Sequence, residues 1–174
     1  KAGLYNSFKF GNLALNIMLD GQLGGIIYSQ THHKLSELGK IMSTMKGREE
    51  GVIVGEGVVL NTDGTYSKNT TEALTPDWYA RYYRRANIES NSFEASYVKL
   101  REISLQYRFK SEWLKNTGVT SLDLSVFGRD LAVLSDFPIF DPETAALNGD
   151  TILPGIEMGQ MPTTANYGFN LKVN

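Results

Sequence analysis

Strict alternation of apolar and polar residues constrains this chain more than any other feature. In Tyr97–Phe109, Ile103, Leu105, Tyr107 and Phe109 fall on one face, and Glu102, Ser104, Gln106 and Arg108 fall on the other. Ser121–Leu131 repeats the scheme, with Leu122, Leu124 and Val126 opposite Ser121, Asp123 and Ser125. The last stretch sets Tyr167, Phe169, Leu171 and Val173 against Gly168, Asn170, Lys172 and Asn174. A period of two is the signature of strands with one apolar and one polar face.

The N-terminal part supplies two further strand candidates. Leu13, Leu15, Ile17 and Leu19 occupy alternate positions. Asp20-Gly21-Gln22 then reads as a tight turn, with a short strand Leu23–Ser29 returning from it. Gly24-Gly25 weakens or bends that strand. Thr31–Lys40 has helical spacing, with Gly39 as its stop, and Asn61-Thr62-Asp63-Gly64 reads as a hairpin turn. Thr75-Pro76-Asp77 predicts a helix start with Thr75 as cap, opening a helix over Asp77–Ala86. The Asp20–Gln22 turn and the Lys110–Gly118 link are short, whereas the links over 31–92 and 136–164 are long. Such sorting of loops by side is how outer-membrane barrels are built, and on this pattern alone a soluble β-rich domain stays equally open.

Composition excludes more than it specifies. The 174 residues carry a net charge of -2 with scattered Lys and Arg, which argues against a nucleic-acid partner. Cysteine is absent, so disulfides and thiolate metal sites are excluded. No apolar run approaches the roughly 20 residues of a transmembrane helix, a fact that says nothing about transmembrane strands. No signal-peptide pattern opens the chain, and no nucleophile elbow, P-loop or zinc-protease motif occurs. His32 and His33, the two histidines, lack metal-ligand spacing and read as solvated loop residues. No cofactor or metal is expected, and no enzymatic activity.

Ordered motifs narrow the reading. Ser96-Tyr97-Val98-Lys99-Leu100-Arg101-Glu102-Ile103-Ser104-Leu105-Gln106-Tyr107 resembles a strand signature of SusC/RagA-type TonB-dependent transporters. In the same order follow Gly128-Arg129-Asp130-Leu131, similar to that family's G-R-N-L strand end, and Asp141-Pro142-Glu143, similar to its D-P-E loop element. Pro162 with Tyr167-Gly168-Phe169-Asn170-Leu171 resembles its closing strand. Gly47-Arg48-Glu49 and Gly24-Gly25-Ile26-Ile27-Tyr28-Ser29 also match its habits. Asp130 stands where Asn is usual, a departure expected to alter one local hydrogen bond and little else.

The resemblance implies an all-β fold: the last five or so strands of a large antiparallel transmembrane β-barrel, with long extracellular loops carrying short helices. Residues 1–174 would be the C-terminal part of the barrel, with the plug, the TonB-engaging segment and the upstream strands lying outside this chain. It implies import of an oligosaccharide or oligopeptide across the outer membrane of a Bacteroidetes-type bacterium, energised through TonB, with a SusD-like surface lipoprotein as partner. The alternative is a soluble all-β cell-surface module that binds glycans.

Two groups of residues stand out as candidates. Trp78, Tyr79, Tyr82 and Tyr83, interleaved with Arg81, Arg84 and Arg85, form an aromatic and basic helix that either packs its own loop or contacts the lipoprotein or a ligand. Glu102, Arg108, Asp123 and Arg129 lie on the polar strand faces and are expected to face the lumen, because charge on a lipid face is costly. Asp141 and Glu143 read as loop-structuring residues, with a glycan-hydrolysing carboxylate pair as the weaker option.

Overall fold

A computed structural model describes residues 1–115, 118–143 and 145–174, which form two compact units. The first comprises residues 1–27, 94–144 and 160–174, and the second residues 28–93 and 145–159.

The first unit is a five-stranded antiparallel meander: β1 (Ala2–Phe10), β2 (Leu13–Gln22), β3 (Tyr97–Arg108), β4 (Leu122–Leu134) and β5 (Asn166–Val173). The expected antiparallel all-β character is therefore present, and the number of wall strands agrees, but their membership does not. The tight turn is Gly11-Asn12, where Gly11 takes a φ of 59 that suits glycine. Residues 20–22 instead extend β2. A Cβ on Gly21 would lie 2.7 Å from the backbone oxygen of Tyr97, so glycine stands there to let β3 approach and not to turn the chain. The expected strand Leu23–Ser29 shrinks to Ile26–Ser29 and does not join the meander. The long links still leave the meander at one end, after Gln22 and after Leu134, while the turn at residues 11–12 and the link over 109–121 close the other.

Pairing register fixes what each face carries. Phe8, Leu15, Leu105, Val126 and Phe169 stand opposite one another across the five strands, and so do Ser7, Asn16, Ser104, Phe127 and Gly168. The apolar face is open: Phe169 is 74% exposed and Leu171 57%. On the polar face Tyr5 donates to Asn16, which donates to Ser104. Phe127 lies over Gly168, where a Cβ would meet its ring, and the Arg129 guanidinium sits 4.9 Å from that ring centre. The glycine of the closing-strand motif is thus the floor beneath a cross-strand aromatic.

In the second unit, α1 (Gln30–Glu37) is capped by Ser29, whose hydroxyl accepts from the His32 N–H, and it ends at Gly39 with φ 66. α2 (Thr75–Tyr82) begins with Leu74 at the cap position and is shorter than expected. Thr75 does not cap it; its hydroxyl donates to the Gly47 carbonyl, which binds the helix start to the preceding loop. The hairpin Val58–Leu60 with Tyr66–Lys68 forms around Asn61–Gly64 as expected. The strand Ile156–Glu157 pairs in parallel with Tyr28 and Ser29.

Candidate functional site

Within the meander, the end from which the long links leave carries a dense charge cluster. A register shift between β2, β3 and β4 leaves Arg101 as an extra residue on β3 opposite Asp130 and Leu131. Asp130 is held at φ 50, the one non-glycine residue with positive φ among the described residues. From this bulge Arg101 reaches Asp20 at 2.9 Å, Asp130 at 3.3 Å and Glu143 at 2.5 Å. Lys99, only 3% exposed, lies 2.6 Å from Asp141 and 2.8 Å from Glu143. Tyr97 donates to Glu143, and Thr163 donates to Asp141. The expectation that Asp130 changes little is corrected here, because its carboxylate adds a fourth anion to a cluster with two cations.

Asp141 and Glu143 are held as anions. Burial alone would raise the Asp141 pKa, but hydrogen bonds from Lys99 and Thr163 outweigh it and hold the group below its ordinary value. Burial likewise opposes ionisation of Glu143, yet Arg101 and Lys99 pull its pKa down to about 2. A general acid for glycan hydrolysis needs a raised pKa, so the electrostatics of this pair disfavour that option. They bind the 136–165 link to β3 instead, which is the loop-structuring role expected of them.

The candidates on the polar strand face resolve into cross-strand pairs. Arg108 stands opposite Asp123 and meets it at 2.7 Å, and Arg129 stands opposite Glu102 and meets it at 2.8 Å. All four share the face that carries Asn16 and Ser104.

In the second unit α2 divides its aromatics between two tasks. Tyr79 is buried, donates to the Lys46 carbonyl and stacks with Tyr83 at 6.1 Å, so these two pack the unit. Trp78 and Tyr82, one helical turn apart, stack at 5.9 Å and line an open cleft of about 580 Å³ with Asp77, Arg81 and Asn87. Trp78 covers Gly55, where a Cβ would fall inside the indole. The packing role therefore falls to Tyr79 and Tyr83, while Trp78 and Tyr82 border the cleft.

The histidines are not solvated. His32 and His33 are 5% and 2% exposed on α1. His32 Nδ1 lies 3.1 Å from the Asn91 side-chain oxygen, with Tyr83 and Phe93 edge-on to its ring. His33 Nδ1 meets the Tyr28 hydroxyl at 3.2 Å. Burial lowers both pKa values and so favours neutral imidazoles. The helical spacing of residues 31–40 was visible in the sequence, but which helix face would be covered was not. Among the described residues no group of three or more His, Cys, Asp or Glu side chains is placed to hold a metal.

Over 176 aligned residues this chain is 25% identical to "TonB-dependent receptor P3" of Formosa agariphila, a match covering 98% of the chain and 16% of that receptor. The fold of this chain matches that of a segment of the RagAB peptide importer. In the open-open state of that importer the TM-score is 0.59 over 97% of this chain, and in the closed-closed state it is 0.61 over 96%, each at 13% identity. The chain resembles part of a SusC/RagA-type TonB-dependent transporter. It spans 16–17% of the length of these relatives. No family model matches the chain. The relatives are a receptor and an importer.

Proposed function

We propose that this chain is the C-terminal wall of an outer-membrane transporter that imports an oligosaccharide or oligopeptide, energised through TonB and assisted by a SusD-like surface lipoprotein, without covalent chemistry. The observation that carries the reading is the meander itself. It presents an open apolar face backed by an ion-paired polar face, and its long links share one end. A lipid-facing wall needs that combination, whereas a soluble glycan-binding module would bury Phe169, Leu171 and Val126 under a second sheet. Glu102, Arg108, Asp123 and Arg129 would then line the lumen. The links over 23–96 and 135–165 would be extracellular, placing Trp78 and Tyr82 where a capping lipoprotein docks. The test is cysteine labelling of the full-length protein in membranes. Lipid-soluble reagents should modify positions 105, 124, 169 and 171, and water-soluble reagents positions 104, 106, 125 and 170. The reverse preference overturns the reading.

A further inference from the structure

A second cleft in the unit of residues 28–93 and 145–159 differs in character from the one beside Trp78. Strand alternation builds it. Ile156 pairs with Tyr28, and both turn into a cleft of about 540 Å³, joined by Met158 from the residue after the strand. Glu157, between them, points the opposite way and is fully buried, accepting from Ser29, Thr31 and the Gly159 N–H. The cleft is thereby stripped of the one carboxylate its strand could have offered. Ile88, Leu147 and Leu153 complete an aliphatic wall.

Two strong polar groups remain at this wall, and neither is used. The Arg85 guanidinium makes no ion pair or hydrogen bond among the described residues, whereas Arg101, Arg108 and Arg129 are all paired with carboxylates. The Gln30 amide likewise makes no hydrogen bond among them. Guanidinium is a donor-only cation whose planar fork matches a carboxylate. Around it the wall rewards burial of an aliphatic or aromatic group and penalises a hydroxyl left without a partner. A sugar ring, which needs acceptors as well as donors, is poorly served by this lining.

We propose that the cleft beside Arg85 receives the free C-terminal end of a peptide whose last side chain is apolar. The carboxylate pairs with Arg85, the side chain fills the space against Ile156, Met158 and Leu153, and Gln30 serves the last peptide group. This rests on the nutrient-import reading and selects oligopeptide from its two substrate classes. The volume lies within the range of small-ligand pockets and exceeds a single leucine or phenylalanine side chain.

The test uses the full-length protein in detergent and a dye-labelled tetrapeptide ending in leucine, read by fluorescence anisotropy. The free acid should bind about tenfold or more tightly than its C-terminal amide, the worth of one charge-assisted pair. Arg85→Gln should bring the acid to the level of the amide while leaving the amide unchanged. Equal binding of acid and amide by the unaltered protein overturns the proposal, as does an acid preference that survives Arg85→Gln. Displacement of the peptide by decanoate at matching concentration overturns it in favour of a fatty-carboxylate site. Binding is measured apart from membrane facing, so failure here leaves the cysteine-labelling result standing, and the reverse holds too.

Discussion

Replacing Lys99 with methionine isolates the role of the charge cluster. The substitution keeps the length of the stem and removes the ammonium that lies between Asp141 and Glu143. Removing one partner of a buried ion pair costs roughly 3–5 kcal/mol, because the other charge stays buried. Here the Lys99 and Asp141 side chains are 4% and 7% exposed, which places the pair in that class. Two compensations push the cost toward the lower bound. Asp141 keeps the Thr163 hydroxyl and the Glu143 N–H, and Glu143 keeps Arg101. A cost of about 3 kcal/mol corresponds to roughly a 100-fold rise in local opening of the 136–165 link. Hydrogen exchange of the full-length protein, followed on a peptide spanning residues 138–145, should show that acceleration while peptides from β1 and β5 stay unchanged. An acceleration below about threefold refutes the assignment of Lys99 as the anchor. Equal acceleration across all strands refutes it too, since it would mean general unfolding.

Three further outcomes follow from the two units. Glu143 has a folded pKa of about 2 against an unfolded value near 4.3, so its contribution is complete above pH ~4.3 and disappears as pH falls toward 2. Asp141 is shifted the same way. Pepsin should therefore spare the 136–165 link at pH 4.5 and cut it as pH approaches 2; cleavage that begins near pH 5 contradicts this. On the proposed function, alanine at both Trp78 and Tyr82 in α2 should weaken co-purification of the surface lipoprotein while barrel assembly persists. Gly55→Ala should mimic that loss by displacing the indole. Unchanged partner recovery in both variants would return Trp78 and Tyr82 to a packing role.

Much of the wall was legible because alternation over Glu102–Arg108 and Leu122–Val126 survives tertiary packing intact. The first hairpin was not, and the reason is specific. Two turn signals compete, Gly11-Asn12 and Asp20-Gly21. The second is the stronger in isolation, yet its glycine serves the close approach of Tyr97 and its aspartate serves Arg101. Both explanations lie more than 70 residues away in sequence, beyond any local pattern. β1 was hidden for a related reason, since Asn6 interrupts its outward series of Leu4, Phe8 and Phe10. The split of α2 into packing and cleft-lining aromatics follows from a one-turn offset, Tyr79 with Tyr83 and Trp78 with Tyr82, which periodicity suggests but cannot orient. The Lys99 cluster was missed because its anions come from β2, β4 and the 136–165 link, with no common spacing.

The parallel pairing of Tyr28 and Ser29 with Ile156 and Glu157 has a bearing on chronology. Its partners are separated by 128 residues, and between them the chain forms two of the meander's hairpin partners, β3 and β4. Contacts of such sequence separation form late, since the intervening chain must be closed into a loop first. Ser29 caps α1, and its hydroxyl donates to Glu157, so the start of that helix acquires its buried carboxyl partner only once residue 157 has been made. A chain interrupted before residue 156 would build four of its five strands and leave this helix start unfinished. The start of α1 would accordingly mature only after β3 and β4 have been made, although it precedes both in sequence.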